Sequence, residues 1–484
     1  MNAASTLTAR LLTERARPRG IAGWRHAHWL AVGTVCLGAF LGQLTAGITA
    51  LVYPALQRHF GTGFAAVEWV ALAYLLVLVA LLAPIGRLSD LVGRKTVYIA
   101  GFAVFGLASL AAGFAGGLGT LVACRAVQAV GGAMMQANSV ALVARGVPEH
   151  AMRRALGIQA AAQGLGLALG PGLGGLLAEH ASWRWVFWIN GPIALAGILA
   201  GWFLLPRTRR PDAAPVPSPR RAVRPEPDGG RFDLAGLLLL AGSTTALLLA
   251  LSAASGLPLP GWAVAALLLA TVLCGLGLVR QERRATRPIL APGLVNTPGV
   301  RPGLAVSLIG YLLLFCPLVL GPVLLAEAGL STGRAGLVIT LLPAAFAVAA
   351  TAGGALLPRG WSDVARCRFG AALAGAGLLG CALLPAAGAP ALALALPLLV
   401  AGGGLGLLLP ANNALVMRAI PAECSAVGGG MVNMARSLGT ALGTALPVLG
   451  VHLAGPVSGG RAVLLALAAV AALAVVLARP VRHR

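Results

Sequence analysis

Apolar blocks of about 20 residues recur along this whole chain of 484 residues, and charge is concentrated in the gaps between them. A helix crossing a bilayer needs roughly 20 mostly apolar residues, because about 30 Å of hydrocarbon is spanned at 1.5 Å per residue. Its backbone groups must also pair within the helix, since lipid offers them no partner. Window reading places fourteen blocks, at 29–51, 68–85, 96–115, 119–143, 155–178, 185–205, 233–253, 261–279, 303–325, 335–357, 369–387, 391–415, 426–449 and 461–479. The pattern predicts an all-α membrane protein with about fourteen transmembrane helices. Charged residues make up 10% of the chain, against about 25% in a soluble domain. So few charges could not dress a water-facing surface.

The formal net charge is +23, which in a soluble protein would point to nucleic acid. Its placement argues against that partner. Arg87, Arg94 and Lys95, then Arg145, Arg153 and Arg154, then Arg207 through Arg231, fall in alternate gaps. Arg280 through Arg287, then Arg359, Arg366 and Arg368, and finally Arg418 continue the alternation. The other gaps hold little beyond Arg58, Arg184, Arg334 and Arg461. Basic residues favour the cytoplasmic side, so a multi-pass protein of the cell (inner or plasma) membrane with both ends in the cytoplasm is expected. The first twenty residues are Arg-rich and lack an apolar stretch, so the first helix is expected to insert as an uncleaved anchor.

The same reading divides the chain. A cytoplasmic tail (1–28) precedes a six-helix bundle (29–205), and a Pro- and Arg-rich cytoplasmic linker (206–232) follows. An extra helix pair (233–279), a cytoplasmic loop (280–302), a second six-helix bundle (303–479) and a short cytoplasmic tail (480–484) complete it. Two six-helix bundles of three-plus-three repeats are a recurrent transporter plan, with the extra pair as an insertion.

Several motifs carry chemistry. Gly86-Arg87-Leu88-Ser89-Asp90-Leu91-Val92-Gly93-Arg94-Lys95 lies between the second and third blocks. Gly86 and Gly93 permit a tight chain reversal. Asp90 can accept hydrogen bonds from an arginine or a helix N-terminus, giving a polar latch that breaks and re-forms between two states. Arg125 sits inside an apolar block, where a charge costs on the order of 3 kcal/mol, so it must face the protein interior. Gln128 is its neighbour one turn on. Gly166, Gly170 and Gly174 recur every fourth residue and make a flat stripe for close helix contact. Pro171 removes a backbone bond and favours a kink.

The signature Gly86–Lys95 resembles the loop that marks the major facilitator superfamily. Arg125-Ala-Val-Gln128 with Gly131 and Gly132 resembles the fourth-helix motif of its proton-linked antiporters. Gly166-x-x-x-Gly170-Pro171-x-x-Gly174-Gly175 resembles their fifth-helix motif. Trp183 through Pro192, with Trp69 and Tyr74, resembles the fourteen-helix drug:proton antiporter branch. The resemblance implies the major facilitator fold and efflux of drugs or metabolites by alternating access. It implies proton coupling at Arg125, a conformational loop at Gly86, Asp90, Gly93, Arg94 and Lys95, and an antiporter hinge at Gly166, Gly170, Pro171, Gly174 and Gly175.

Amides and hydroxyls inside the blocks should point inward, because an unpaired polar group is costly in hydrocarbon. Gln43, Thr45, Thr49, Tyr53, Asn138, Gln159, Gln163, Asn412, Asn413 and Asn433 are therefore candidates for a substrate cavity. Thr45 stands where the resembled family usually carries an acid in its first helix, and Ala129 replaces a usual glycine. Glu68 and Glu327, near the ends of spans, join Arg125 and Gln128 as candidates for proton coupling.

The expected function is secondary active efflux of amphipathic drugs or metabolites in exchange for protons. A facilitator or metabolite exporter without tight proton coupling is the alternative, motivated by Thr45. The expected partners are the lipid bilayer, a small amphipathic organic substrate and protons, with the protein a monomer. The seven cysteines and seven histidines show no metal spacing. No catalytic cluster or phosphate-binding loop is visible. Hence no enzyme, no catalytic residue, no cofactor and no metal is expected.

Overall fold

The computed structural model describes residues 17–148, 151–208, 233–254, 259–284, 295, 297–356, 360–383, 391–420 and 425–478. Most of the expected linker, residues 1–16 of the N-terminal tail and the whole C-terminal tail lie outside these residues, as do Gly388 to Pro390. Among the described residues every regular element is helical. Fourteen long helices carry the fold: α1 (Ala27–Thr49), α2 (Trp69–Val92), α3 (Arg94–Gly113), α4 (Leu118–Gly146), α5 (Met152–His180), α6 (Asn190–Leu204) and α7 (Leu234–Ala254). Then come α8 (Gly261–Arg284), α9 (Val300–Glu327), α10 (Thr332–Leu356), α11 (Asp363–Leu383), α12 (Ala395–Ala419), α13 (Ser425–Ala454) and α14 (Gly460–Leu477). Each coincides with one of the apolar blocks.

Thirteen helical stretches are long and apolar enough to cross a membrane, and the last, Met431–Leu477, is 47 residues long. That is about 70 Å of helix, more than twice a hydrocarbon core. The chain turns back inside it. Gly455 adopts φ +80°, and a Cβ built on Gly450 would meet the Val463 side chain. This stretch therefore contributes α13 and α14 separately, and the spans number fourteen.

The packing pattern repeats. In the first half α1 packs on α5, α2 and α3 pack on α4, and α3 packs on α6. In the second half α9 packs on α13, α10 and α11 pack on α12, and α11 packs on α14. Glycines set the close approaches at matching places. A Cβ on Gly131 would strike the backbone of Gly101 and Phe105, and one on Gly404 the backbone of Gly370 and Ala374. Without a hydrophobic drive between helices in lipid, such backbone-to-backbone contact supplies the dispersion that holds them.

The two halves meet along α5 with α10 and along α2 with α13. Helix α7 packs on its hairpin partner α8 and also touches both α2 and α13. Helix α8 leaves Leu268, Leu269, Val272, Leu273 and Leu276 exposed, as a lipid-facing helix does.

One expectation about the signature segment is corrected. Gly86 makes no reversal: α2 runs unbroken to Val92, and nothing lies within 4 Å of a Cβ placed on Gly86. Gly93 alone turns the chain, at φ +117° and ψ +127°, a conformation a side chain would strain. The gap between the second and third spans thus closes to one residue.

Candidate functional site

Arg125 is 1% exposed and stands at one end of a chain of polar side chains that crosses four helices. Its Nε donates to the Val70 carbonyl at 2.8 Å, and Nη1 donates to Gln128 Oε1 at 2.5 Å. The guanidinium lies 4.5 Å from the Tyr74 ring centroid and 6.0 Å from that of Phe187. Gln128 Nε2 donates to the Ser109 hydroxyl. Ser109 also accepts from Asn190 Nδ2 at 3.1 Å, and Asn190 Oδ1 accepts the Thr45 hydroxyl at 3.1 Å. Thr49 donates to the Thr45 carbonyl at 2.6 Å. None of these partners is a carboxylate. The charge of Arg125 is instead spread over neutral acceptors and two aromatic faces. Breaking any link would leave a buried polar group unpaired, so the chain ties α4, α3, α6 and α1 together.

Glu68 is fully buried at the start of α2. Ser252 of α7 donates to its Oε1, while Oε2 has no hydrogen-bond partner. The buried Tyr53 hydroxyl is likewise unpartnered. Glu327 is exposed at the C-terminal end of α9 and joins none of these contacts.

Between the halves lies a cavity of about 120 Å3. Gln43, Gln159, Gln163 and Asn433 line it, together with Tyr311, Phe315 and Arg436. A smaller space of about 20 Å3 adjoins it, with Ala46, Tyr74, Leu75, Phe315 and Thr440 common to both. Thr49, Tyr53 and Arg125 line this second space. The remaining cavity candidates lie elsewhere. Thr45 belongs to the polar chain. Asn412 donates to the Gly303 carbonyl and to Ser307, pinning α12 to α9. Asn413 is absent from both walls, and its Oδ1 is buried without a partner.

Asn138 belongs to the conformational loop instead. Its Nδ2 donates to Ser89 at 2.7 Å and its Oδ1 accepts from Arg94 at 3.4 Å. Lys95, 2% exposed, reaches the end of α6 and donates to the Trp202 and Leu205 carbonyls at 3.1 and 2.8 Å. A cation there meets the negative end of the α6 dipole. The side chain of Asp90 lies outside the described residues.

The glycine stripe of α5 has two faces. Cβ atoms on Gly166, Gly170 and Gly174 would strike the backbone of α1 between Phe40 and Ile48. On the other face Gly164, Gly172 and Gly175 meet Ala347, Thr340 and the Thr332–Gly336 turn of α10. Glu179 accepts the Gly333 N–H across the same seam. Pro171 lies between the faces, against both Gly47 and Gly336. A Cβ on Gly164 would meet Ala347, whereas one on Gly157 would meet nothing within 4 Å. The close glycine approaches between the halves thus run from Gly164 to Gly175, toward the C-terminal end of α5, with Gln159 of α5 and Asn433 of α13 on the cavity wall.

Ser109, Asn190 and Arg436 were not among the residues expected in the site. Arg436 carried the same signal as Arg125, a charge within an apolar block. Ser109 carried only the weak signal of a hydroxyl in a span.

The description Major Facilitator Superfamily matches residues 35–444. The chain is 30% identical to the tetracenomycin C resistance and export protein of Streptomyces glaucescens, over 90% of this chain and 79% of that protein. It is 34% identical to a puromycin resistance protein of Streptomyces alboniger, over 86% of this chain and 80% of that one. It is 28% identical to a riboflavin transporter of Clostridioides difficile, over 86% of this chain and 87% of that one.

Proposed function

The chain belongs to the Major Facilitator Superfamily, and from that premise we propose that it is a secondary active exporter of small amphipathic organic compounds. It works by alternating access, in exchange for protons. The observation that carries this reading is the cavity between two similarly packed halves, whose α5–α10 seam is closed from Gly164 to Gly175. Such a cavity can face either side in turn if the halves rock about it. Relatives named for resistance to tetracenomycin C and puromycin and for riboflavin transport support an organic cargo.

The alternation of Arg-rich gaps supports a cell-membrane location with both ends in the cytoplasm. The packing repeat supports two bundles, 29–205 and 303–479, joined through the 206–232 linker and the 233–279 pair. The protein acts as a monomer. Gly93, Arg94, Lys95, Asn138 and Ser89 serve as the latch between α2, α3, α4 and α6. The α5 stripe around Pro171 serves as the hinge. For proton coupling the buried Glu68 is favoured over the exposed Glu327. A protonated Glu68 could hydrogen-bond locally, while its ionised form would be drawn toward Arg125.

A potential of 100 mV supplies about 2.3 kcal/mol per charge moved, about a 50-fold concentration ratio. The test is efflux of labelled puromycin and riboflavin from proteoliposomes under an imposed pH gradient. Efflux should collapse when a protonophore is added. Unaltered efflux would reject coupling and favour the second reading, a facilitator of the same fold. That reading has its own support: among the described residues neither cavity wall contains a carboxylate, and the Thr45 hydroxyl is committed to Asn190.

A further inference from the structure

The cavity wall carries an arginine that the polar chain around Arg125 does not use. Arg436 lies near the middle of α13, in an apolar span where a charge is expensive and is kept only for a reason. Its guanidinium carbon sits 4.6 Å from the Tyr311 ring centroid. Among the described residues its side-chain hydrogen bond is from Nη1 to Asn433 Oδ1, at 3.3 Å. The ion pair between Arg418 and Asp363 is elsewhere. Among the described residues no Asp or Glu lines this cavity or the smaller one adjoining it, and the second arginine on their walls is Arg125. The described walls therefore offer cargo two positive charges and no negative one. Two further features describe the rest of the ligand. Tyr311 and Phe315, one turn apart, stack at 22° with centroids 6.5 Å apart, and both rings line the cavity, giving a planar ring system aromatic partners. Gln159 is 3% exposed, and its Oε1 has no hydrogen-bond partner.

We propose that the cargo is an aromatic organic anion, whose acidic group pairs with the Arg436 guanidinium while its ring lies along Tyr311 and Phe315. The planar fork of arginine matches a carboxylate with two parallel hydrogen bonds, and the Asn433 and Tyr311 contacts hold that fork in place. Gln159 accepts a hydroxyl or N–H from the far edge of the ring. A cation is rejected by the same two arginines. The proposal rests on the exporter reading and fixes its substrate class. It also bears on the energy source: a membrane potential, negative inside, drives an anion outward by about 50-fold per 100 mV without any proton carrier in the cavity.

The test is equilibrium dialysis of the full-length protein in lipid nanodiscs, with empty nanodiscs subtracted. Three probes share one naphthalene ring: 2-naphthoate, 2-naphthalenemethanol and 2-naphthylmethylammonium. Naphthoate is expected to bind at least about tenfold tighter than the alcohol, with the ammonium weakest, as a charge-assisted pair should give. Arg436→Gln should erase the advantage of naphthoate and leave the alcohol within about twofold. Arg436→Lys keeps the charge without the fork and should retain part of the advantage. Absent naphthoate binding, tightest binding of the ammonium, or a naphthoate advantage that survives Arg436→Gln would each overturn the proposal. Should Arg436→Gln lose the alcohol too, equal affinity of Arg436→Lys for all three probes would overturn it. The readout needs no transport. A protein that binds naphthoate in this order yet exports nothing would refute the exporter reading and leave the Arg436 assignment intact.

Discussion

A methyl group at Gly175 should push the protein toward its opposite-facing state. The glycine lies on the closed stretch of the α5–α10 seam, where its Cβ would come within 2.6 Å of the Thr332 carbonyl oxygen and 3.2 Å of Gly333 and Gly336 Cα. All three are backbone atoms, so no side chain can swing away. Overpacking of this kind costs typically about 1–3 kcal/mol. The cost exists only while the seam is shut. The gain in helix propensity from Gly to Ala is common to both states and cancels. A differential of about 2 kcal/mol moves the ratio of the two states about 30-fold. The assay is alkylation of Thr49→Cys by a membrane-impermeant maleimide added outside cells, in a chain whose native cysteines are replaced by alanine. Thr49 lines the smaller space behind the seam. Gly175→Ala should speed labelling by about that factor, and Gly336→Ala, which presses on the Pro171 carbonyl from the other side, should do the same. Gly157→Ala, with open space around it, is the control. An unchanged rate in correctly inserted Gly175→Ala, or equal acceleration by Gly157→Ala, would refute the reasoning.

Gly170→Ala contacts the backbone of Gly47 and Ile48 within one half, so it should lower thermal stability by about 1–3 kcal/mol without changing that labelling rate; a faster rate would move the hinge assignment to the α1 face. Arg125→Ala strips the Val70 carbonyl and Gln128 of a charged donor and should lower gradient-driven efflux at least about tenfold at normal membrane abundance; undiminished efflux would remove Arg125 from the mechanism. Glu68→Gln should abolish accumulation driven by a pH gradient while leaving downhill exchange intact, measured in the same proteoliposomes; retained coupling would exclude this carboxylate. Lys95→Met removes the donor to two α6 carbonyls and should cost about 1.5–3 kcal/mol, read as a lower melting temperature in detergent; an unchanged melt would deny the latch its α3–α6 anchor.

The spans were legible because length and apolarity are local properties: each block is a helix whatever it packs against. The reversal at Met431–Leu477 was equally local, since Arg461 interrupts the apolar run there. Side-chain direction was less legible. Amides inside the membrane must face inward, yet inward includes helix junctions. Asn138 obeys that rule and closes on Ser89 and Arg94 rather than on the cavity. Hydroxyls say less still, because Thr34 and Thr49 satisfy themselves on carbonyls one turn back. Ser109 could therefore not be distinguished from them in the sequence, although two amides converge on it. Arginine is the exception. Its cost in lipid singles out Arg125, and the same argument applied to Arg436 reaches the cavity wall directly.

The position of α7 makes the molecule asymmetric as seen from the bilayer. Two crevices open sideways where the halves meet. One, along α2 and α13, lies beneath α7, held there in part by Ser252 on Glu68. Among the described residues no helix covers the other, along α5 and α10, and Leu165 and Leu169 are exposed on one rim with Leu337 and Val348 on the other. The α7–α8 hairpin thereby leaves the molecule with one flank shielded and its counterpart open to whatever surrounds it.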